Sequence, residues 1–145
     1  MKKIIFILSC SILLLSCLDN DETVSEEYSQ IWQLTKMTGS ISNSETTGGD
    51  MDWQEFYLLN SDGTFLKSRE QNNVLIKISG TYTYENISEE KFIVFSYQSE
   101  SSIIGNCTLE LKEYLIVREN KLIGTWLACD GPGLEYERFE LCGTI

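Results

Sequence analysis

Glu135 and Glu137 flank Tyr136 in the stretch GLEYERF, and that spacing puts both carboxylates on one face of a strand. A carboxylate pair is the minimum equipment for glycoside hydrolysis, with one group as acid and the other as base or nucleophile. The same alternation also describes a solvated outer face, which is the better reading of these two. The chain holds no histidine. That removes Ser-His-Asp and Cys-His catalysis, histidine zinc sites and an imidazole base together. Cys10, Cys17, Cys107, Cys129 and Cys142 show no CxxC spacing, so no structural zinc site is expected. No glycine-rich phosphate loop occurs, and Gly131-Pro132-Gly133 reads as a turn. The expectation is a protein that is not an enzyme and carries no metal or cofactor. Four aromatic residues are candidates for ligand contact: Trp53, Tyr57, Tyr82 and Trp126. Trp53 and Tyr57 stand near a long loop, and Trp126 is inward-facing by strand parity.

Cys17 carries the most specific chemistry. Met1-Lys2-Lys3 is basic, and residues 4–15 are nearly all apolar. This is the layout of a secretory signal, and the run is far short of the roughly 20 residues that a spanning helix needs. Leu14-Leu15-Ser16-Cys17 resembles the bacterial lipobox, with a small residue before a cysteine that takes a diacylglycerol. Acyl chains contribute about 0.8 kcal/mol per buried CH₂, so two or three of them anchor stably. Residues 1–16 are therefore expected to be a cleaved lipoprotein signal. Residues 17–29 would be a lipidated cysteine followed by a solvated tether carrying Asp19, Asp21, Glu22, Glu26 and Glu27. Acid directly after the cysteine resembles the surface-export label of lipoproteins from the Bacteroidota. The expected location is the outer membrane, lipid-anchored at the cell surface, with the periplasmic face as the alternative.

Loss of residues 1–16 removes two lysines and none of the 22 carboxylates, so the net charge moves from −11 to −13. That balance argues against nucleic acid and against anionic lipid headgroups as partners. The remaining length suits one core, in a domain covering residues 30–145. Export also permits disulfides.

The elements that would position these residues read as strands. Short β-branched and aromatic runs fall near 31–40, 51–59, 64–70, 74–84, 91–97, 103–118, 121–129 and 134–142, split by turn signals. Asn60-Ser61-Asp62-Gly63 and Glu119-Asn120 offer residues that accept positive φ, as hairpins require. Val74, Ile76, Ile78, Gly80, Tyr82 and Tyr84 share one parity, and Lys77, Ser79, Thr81 and Thr83 the other. Short links between successive strands predict an all-β fold: an eight-stranded antiparallel up-and-down barrel, closed so that no edge is exposed.

The order of these signals resembles the lipocalin-like domains of Bacteroidota lipoproteins. IWQLTKM at 31–37, FYLLNSDGTF at 56–65, SGTYTYE at 79–85 and KLIGTWLACDGPGLEYERF at 121–139 carry the resemblance. It implies that Trp32, on the first strand, lies under Arg138, near the last, as a cation–π pair that closes the barrel. Gln30 stands where that family has glycine.

A hairpin about Glu119-Asn120 brings Cys107 and Cys129 to one barrel end and sends Cys142 to the other. A bulge near Glu113-Tyr114 would put the first two on one face, so a Cys107–Cys129 disulfide is expected. The functional expectation is a surface-anchored, non-enzymatic lipoprotein that holds a small apolar or amphipathic ligand in its barrel. The alternative is a protein-binding or inhibitor module with a side-chain-filled barrel, whose loops or acidic face grip a basic protein partner.

Overall fold

The computed structural model describes residues 30–41 and 43–139. Cys17, the signal, the tether and Cys142 lie outside the described residues. Among the described residues, nine strands form one sheet: β1 (Gln30–Thr38), β2 (Thr46–Thr47), β3 (Gln54–Leu59), β4 (Thr64–Gln71), β5 (Val74–Ile87), β6 (Glu90–Tyr97), β7 (Lys112–Arg118), β8 (Lys121–Gly124) and β9 (Gly133–Phe139). Every pairing is antiparallel, and β9 returns to pair with β1. The result is a closed eight-stranded barrel consistent with the lipocalin-like form. β2 is a short addition against Lys36 and Met37 of β1.

Turn chemistry sets the meander. Asn72 and Asn73 both have positive φ, as do Ser88 and Glu89, which suits two-residue hairpins whose twist matches the strands. Gly63 has a φ of 84°, and Asp62 accepts hydrogen bonds from the backbone and hydroxyl of Thr64. Gly80 answers a different need. A Cβ there would lie 2.0 Å from the Ser96 carbonyl oxygen and 2.9 Å from the Phe65 ring.

Two strand assignments from the sequence are corrected. The run at 103–118 is a strand only from Lys112, and the run at 121–129 only to Gly124. Ile103 is 1% exposed, so its apolar signal reflects burial beneath a loop and not strand period. Residues Trp126–Cys129 form a 3₁₀ turn. That turn leaves Trp126 packed against Gly105 and Gly131, where an added Cβ would come within 2.8 and 2.3 Å of the indole. β7 pairs regularly through Glu113 and Tyr114, so the expected bulge there is absent; the register shift lies in β1, between Leu34 and Lys36.

Because the strands alternate in direction, the barrel has two distinct poles. Gln30 and Phe139 lie at one, together with the links 60–63, 88–89 and 119–120. The other carries the links 39–53, 72–73, 98–111 and 125–132. No helix of the described residues is long and apolar enough to cross a membrane.

Candidate functional site

Period-2 alternation sends Glu55, Tyr57 and Leu59 of β3 inward, and likewise Phe65, Lys67 and Arg69 of β4. Four charged side chains therefore enter the barrel. Glu55, Lys67, Arg69 and Glu113 are each no more than 5% exposed. Burying a charge is costly unless it is paired and hydrogen-bonded, and here each one is. Lys67 Nζ lies 2.9 Å from Glu113 Oε1 and 3.2 Å from Glu55 Oε1. Arg69 Nε donates to Glu55 Oε2, and its Nη2 donates to the Ile103 carbonyl at 3.3 Å. Two cations thus offset two carboxylates.

Tyrosines complete the network. Tyr57 donates to Glu113 Oε2 at 2.8 Å, Tyr97 donates to the same oxygen, and Tyr136 donates to Glu55 Oε1 at 2.5 Å. The Gly105 amide donates to Glu113 Oε1 at 2.8 Å. Glu113 therefore serves Lys67, two phenols and one amide. Aromatic rings fill the adjoining space: Tyr57 stacks on Phe95 at 4.4 Å, and Phe65 meets Phe95 edge-on at 4.7 Å. The middle of the barrel is occupied by its own side chains.

Sequence reasoning did not find this network, although the parity of Lys67 and Arg69 with Phe65 was the available signal. Of the candidate ligand contacts, Tyr57 is a fully buried core residue. Tyr82 is half-buried, and its hydroxyl donates to the Asn60 carbonyl at the pole of the termini. Trp53 and Trp126 pack against the core at the opposite pole. The four residues are thus spread along the barrel and do not converge on one pocket. Arg138 does sit opposite Trp32 in the closing register. Trp32 is buried and Arg138 exposed, and among the described residues the cation found over a tryptophan is Arg69, 4.1 Å from the Trp53 ring. Cys107 and Cys129 are joined by a disulfide with Cα atoms 5.6 Å apart. Loop 98–111 brings them together by folding over the pole.

Glu135 and Glu137 face outward. Lys36 pairs with Glu135, and Lys121 lies 3.3 Å from Glu135 and 3.2 Å from Glu137. The hydrogen bond from Lys36 holds the Glu135 carboxyl below its usual range, assisted by Lys121. A general acid for glycosidic cleavage needs the opposite shift.

The pole away from the termini has a marked charge bias. Its links 39–53, 72–73, 98–111 and 125–132 contain no lysine or arginine. They expose Glu45, Asp50, Asp52, Glu100, Glu110 and Asp130, and Leu109 projects fully into solvent. Lys36 reaches one of these acids, Glu45, at 3.6 Å. Among the described residues, no group of three or more acidic or cysteine side chains is arranged to hold a metal ion.

The interior predicts an alkaline limit. Burial pushes the phenols of Tyr57, Tyr97 and Tyr136 well above their ordinary value, and the nearby carboxylates add to the effect. Between the unfolded pKa of about 10 and the raised folded values, the unfolded chain releases protons that the native barrel keeps. Stability contributed by these phenols is complete below about pH 10 and falls as pH rises, with a slope approaching roughly 4 kcal/mol per pH unit for three groups. Absorbance titration of tyrosinate should show these three of the seven tyrosines ionising only as the fold is lost. Smooth titration of all seven in the native state would contradict it.

No family model, curated protein or solved structure matches the chain.

Proposed function

We propose that this protein is a lipid-anchored, non-enzymatic binding module that grips a basic protein partner with the acidic pole of a filled barrel. The observation that carries this reading is the cation-free set of links at the pole away from the termini. The lipobox supports attachment through Cys17 at the outer membrane, and the acidic tether supports display at the cell surface. An anchor that precedes Gln30 leaves the acidic pole as the end turned away from the membrane. The filled interior favours recognition by the outside of the barrel over a small apolar ligand held within it. Acidic loops around a projecting Leu109 suit a cationic surface with an apolar spot, since complementary charge steers encounter and fixes register.

The test uses a strongly basic protein such as lysozyme as the probe. Binding should weaken at least tenfold as salt rises from about 50 mM to about 500 mM, because exposed charges are screened. It should fall further in an Asp50→Lys, Glu110→Lys variant. Native mass spectrometry should find the domain bare. Salt-insensitive binding, or a small molecule that stays bound until denaturation, would reject this reading in favour of a ligand-carrying barrel.

A further inference from the structure

At the pole away from the termini, a cleft of about 510 Å³ lies between the 3₁₀ turn Gly48–Asp50 and the link 72–73. Pockets for small molecules span about 300–1,000 Å³, so its size suits a ligand. Trp53 lines the cleft, one residue before β3. It shares the inward parity of Glu55 and Tyr57, which sets it at the barrel mouth. The Arg69 guanidinium lies 4.1 Å from the ring and is itself held by Glu55, so the indole is backed by the buried network. Gln54 donates to the Gly48 carbonyl at 2.8 Å and fixes the turn on one side. On the other side, Asn72 and Asn73 have the positive φ of a hairpin turn, and their amides add to the wall. Asp52, Glu70 and Gln71 complete an exposed, planar polar lining that includes no lysine or arginine.

The lining selects among ligand classes. An anion would meet Asp52 and Glu70 with no cation on the walls to hold it. A lysine or arginine side chain packed on Trp53 would meet a ring that already carries the Arg69 cation, so like charge opposes it. A wholly apolar ligand would strip water from amides and carboxylates and leave them unpaired. A neutral polyhydroxylated ligand avoids all three costs. A sugar ring has an apolar C–H face for an indole, and its hydroxyls both donate and accept, as amides and carboxylates require. We propose that this cleft binds a neutral saccharide. The sugar packs its C–H face on the part of Trp53 that lines the cleft, and Glu70, Gln71 and Asn73 take its hydroxyls. The site adds to the basic-protein reading and does not rest on it.

The experiment titrates the chain from Cys17 to Ile145, the expected product of signal cleavage, with the methyl glycosides of glucose, mannose, galactose and N-acetylglucosamine at millimolar concentrations. NMR follows the indole N–H signals of the three tryptophans. The Trp53 signal is the one lost in Trp53→Phe. At least one glycoside should move it and leave the signal of Trp32, which is 5% exposed, in place. The affinity should change less than twofold between about 50 mM and about 500 mM salt. Binding of the basic protein falls over that range, so the two readings fail separately. Trp53→Ala should weaken saccharide binding at least tenfold, whereas Trp53→Phe, seen by saturation transfer, keeps a ring to pack on and should lose about threefold or less. If Trp53→Ala does not fold, Glu70→Ala with Asn73→Gly replaces it. That pair alters no buried side chain, keeps a residue suited to positive φ, and should lose at least threefold. No shift with any of the four glycosides would overturn the proposal, as would saccharide binding that survives these variants. A Trp53 shift with n-butylammonium or acetate instead of the glycosides would overturn it too, by giving the cleft to a charged ligand.

Discussion

Replacing Glu113 by alanine will remove about 3–5 kcal/mol of stability, the largest effect expected of any single substitution in this barrel. The magnitude follows from what is left behind. Lys67 is left at 0% exposure with Glu55 as its remaining carboxylate partner, while Glu55 still has Arg69 to serve. The Tyr57 and Tyr97 hydroxyls and the Gly105 amide lose their acceptor together. Domains of this size have about 5–15 kcal/mol in total, so the variant will be marginal. Urea denaturation should show the midpoint falling by roughly 2–3 M at an unchanged slope. Glu113→Gln keeps the volume and one acceptor oxygen, so it should lose less. Pairing Glu113→Leu with Lys67→Met removes both charges, and the double variant should be more stable than the sum of the single losses. A loss below about 1 kcal/mol for Glu113→Ala would mean that water reaches the network and that the barrel is not filled.

The network also shows how far alternation could be read in advance. The period-2 pattern gave the strands of β5 and the closure of the barrel correctly, because Ile78 and Gly80 obey it in mid-strand. It loses meaning toward the strand ends: Val74 and Tyr84 share the inward parity but are 58% and 45% exposed. It misled at 103–111, where apolar residues cover a barrel end. Lys67 and Arg69 were invisible to a reading that equated inward with apolar. Their positions were legible, but their partners were not, since Glu113 lies 46 residues from Lys67 in the chain and meets it only after closure. The acidic pole was hidden for a similar reason. Its carboxylates are scattered along the sequence, and only the topology collects the links that carry them.

The Cys107–Cys129 bridge was anticipated, yet by a route the fold does not take, and its true setting changes what removing it should do. Neither cysteine is in a strand. Cys107 lies in loop 98–111, and Cys129 closes the 3₁₀ turn that carries Trp126. The bridge therefore ties together the two segments whose glycines, Gly105 and Gly131, enclose the Trp126 ring. With the cysteines 22 positions apart in the sequence, the chain-entropy argument assigns the bridge about 3 kcal/mol. The Cys107→Ser, Cys129→Ser variant should lose that amount, seen in calorimetry as a fall in Tm of about 10–15 °C. The loss will not be spread evenly. The Gly105 amide is held by Glu113 inside the barrel and should keep its protection from hydrogen exchange. Amides at 107–111 and 127–131 should exchange faster. Those segments carry Glu110, Asp130 and Leu109, so affinity for a basic protein should drop as the pole loses its fixed shape. Peptide mapping of the oxidised protein provides the decisive control. Cys142 found in the bridge would remove the tie across Trp126, and with it the reason for any local effect at this pole.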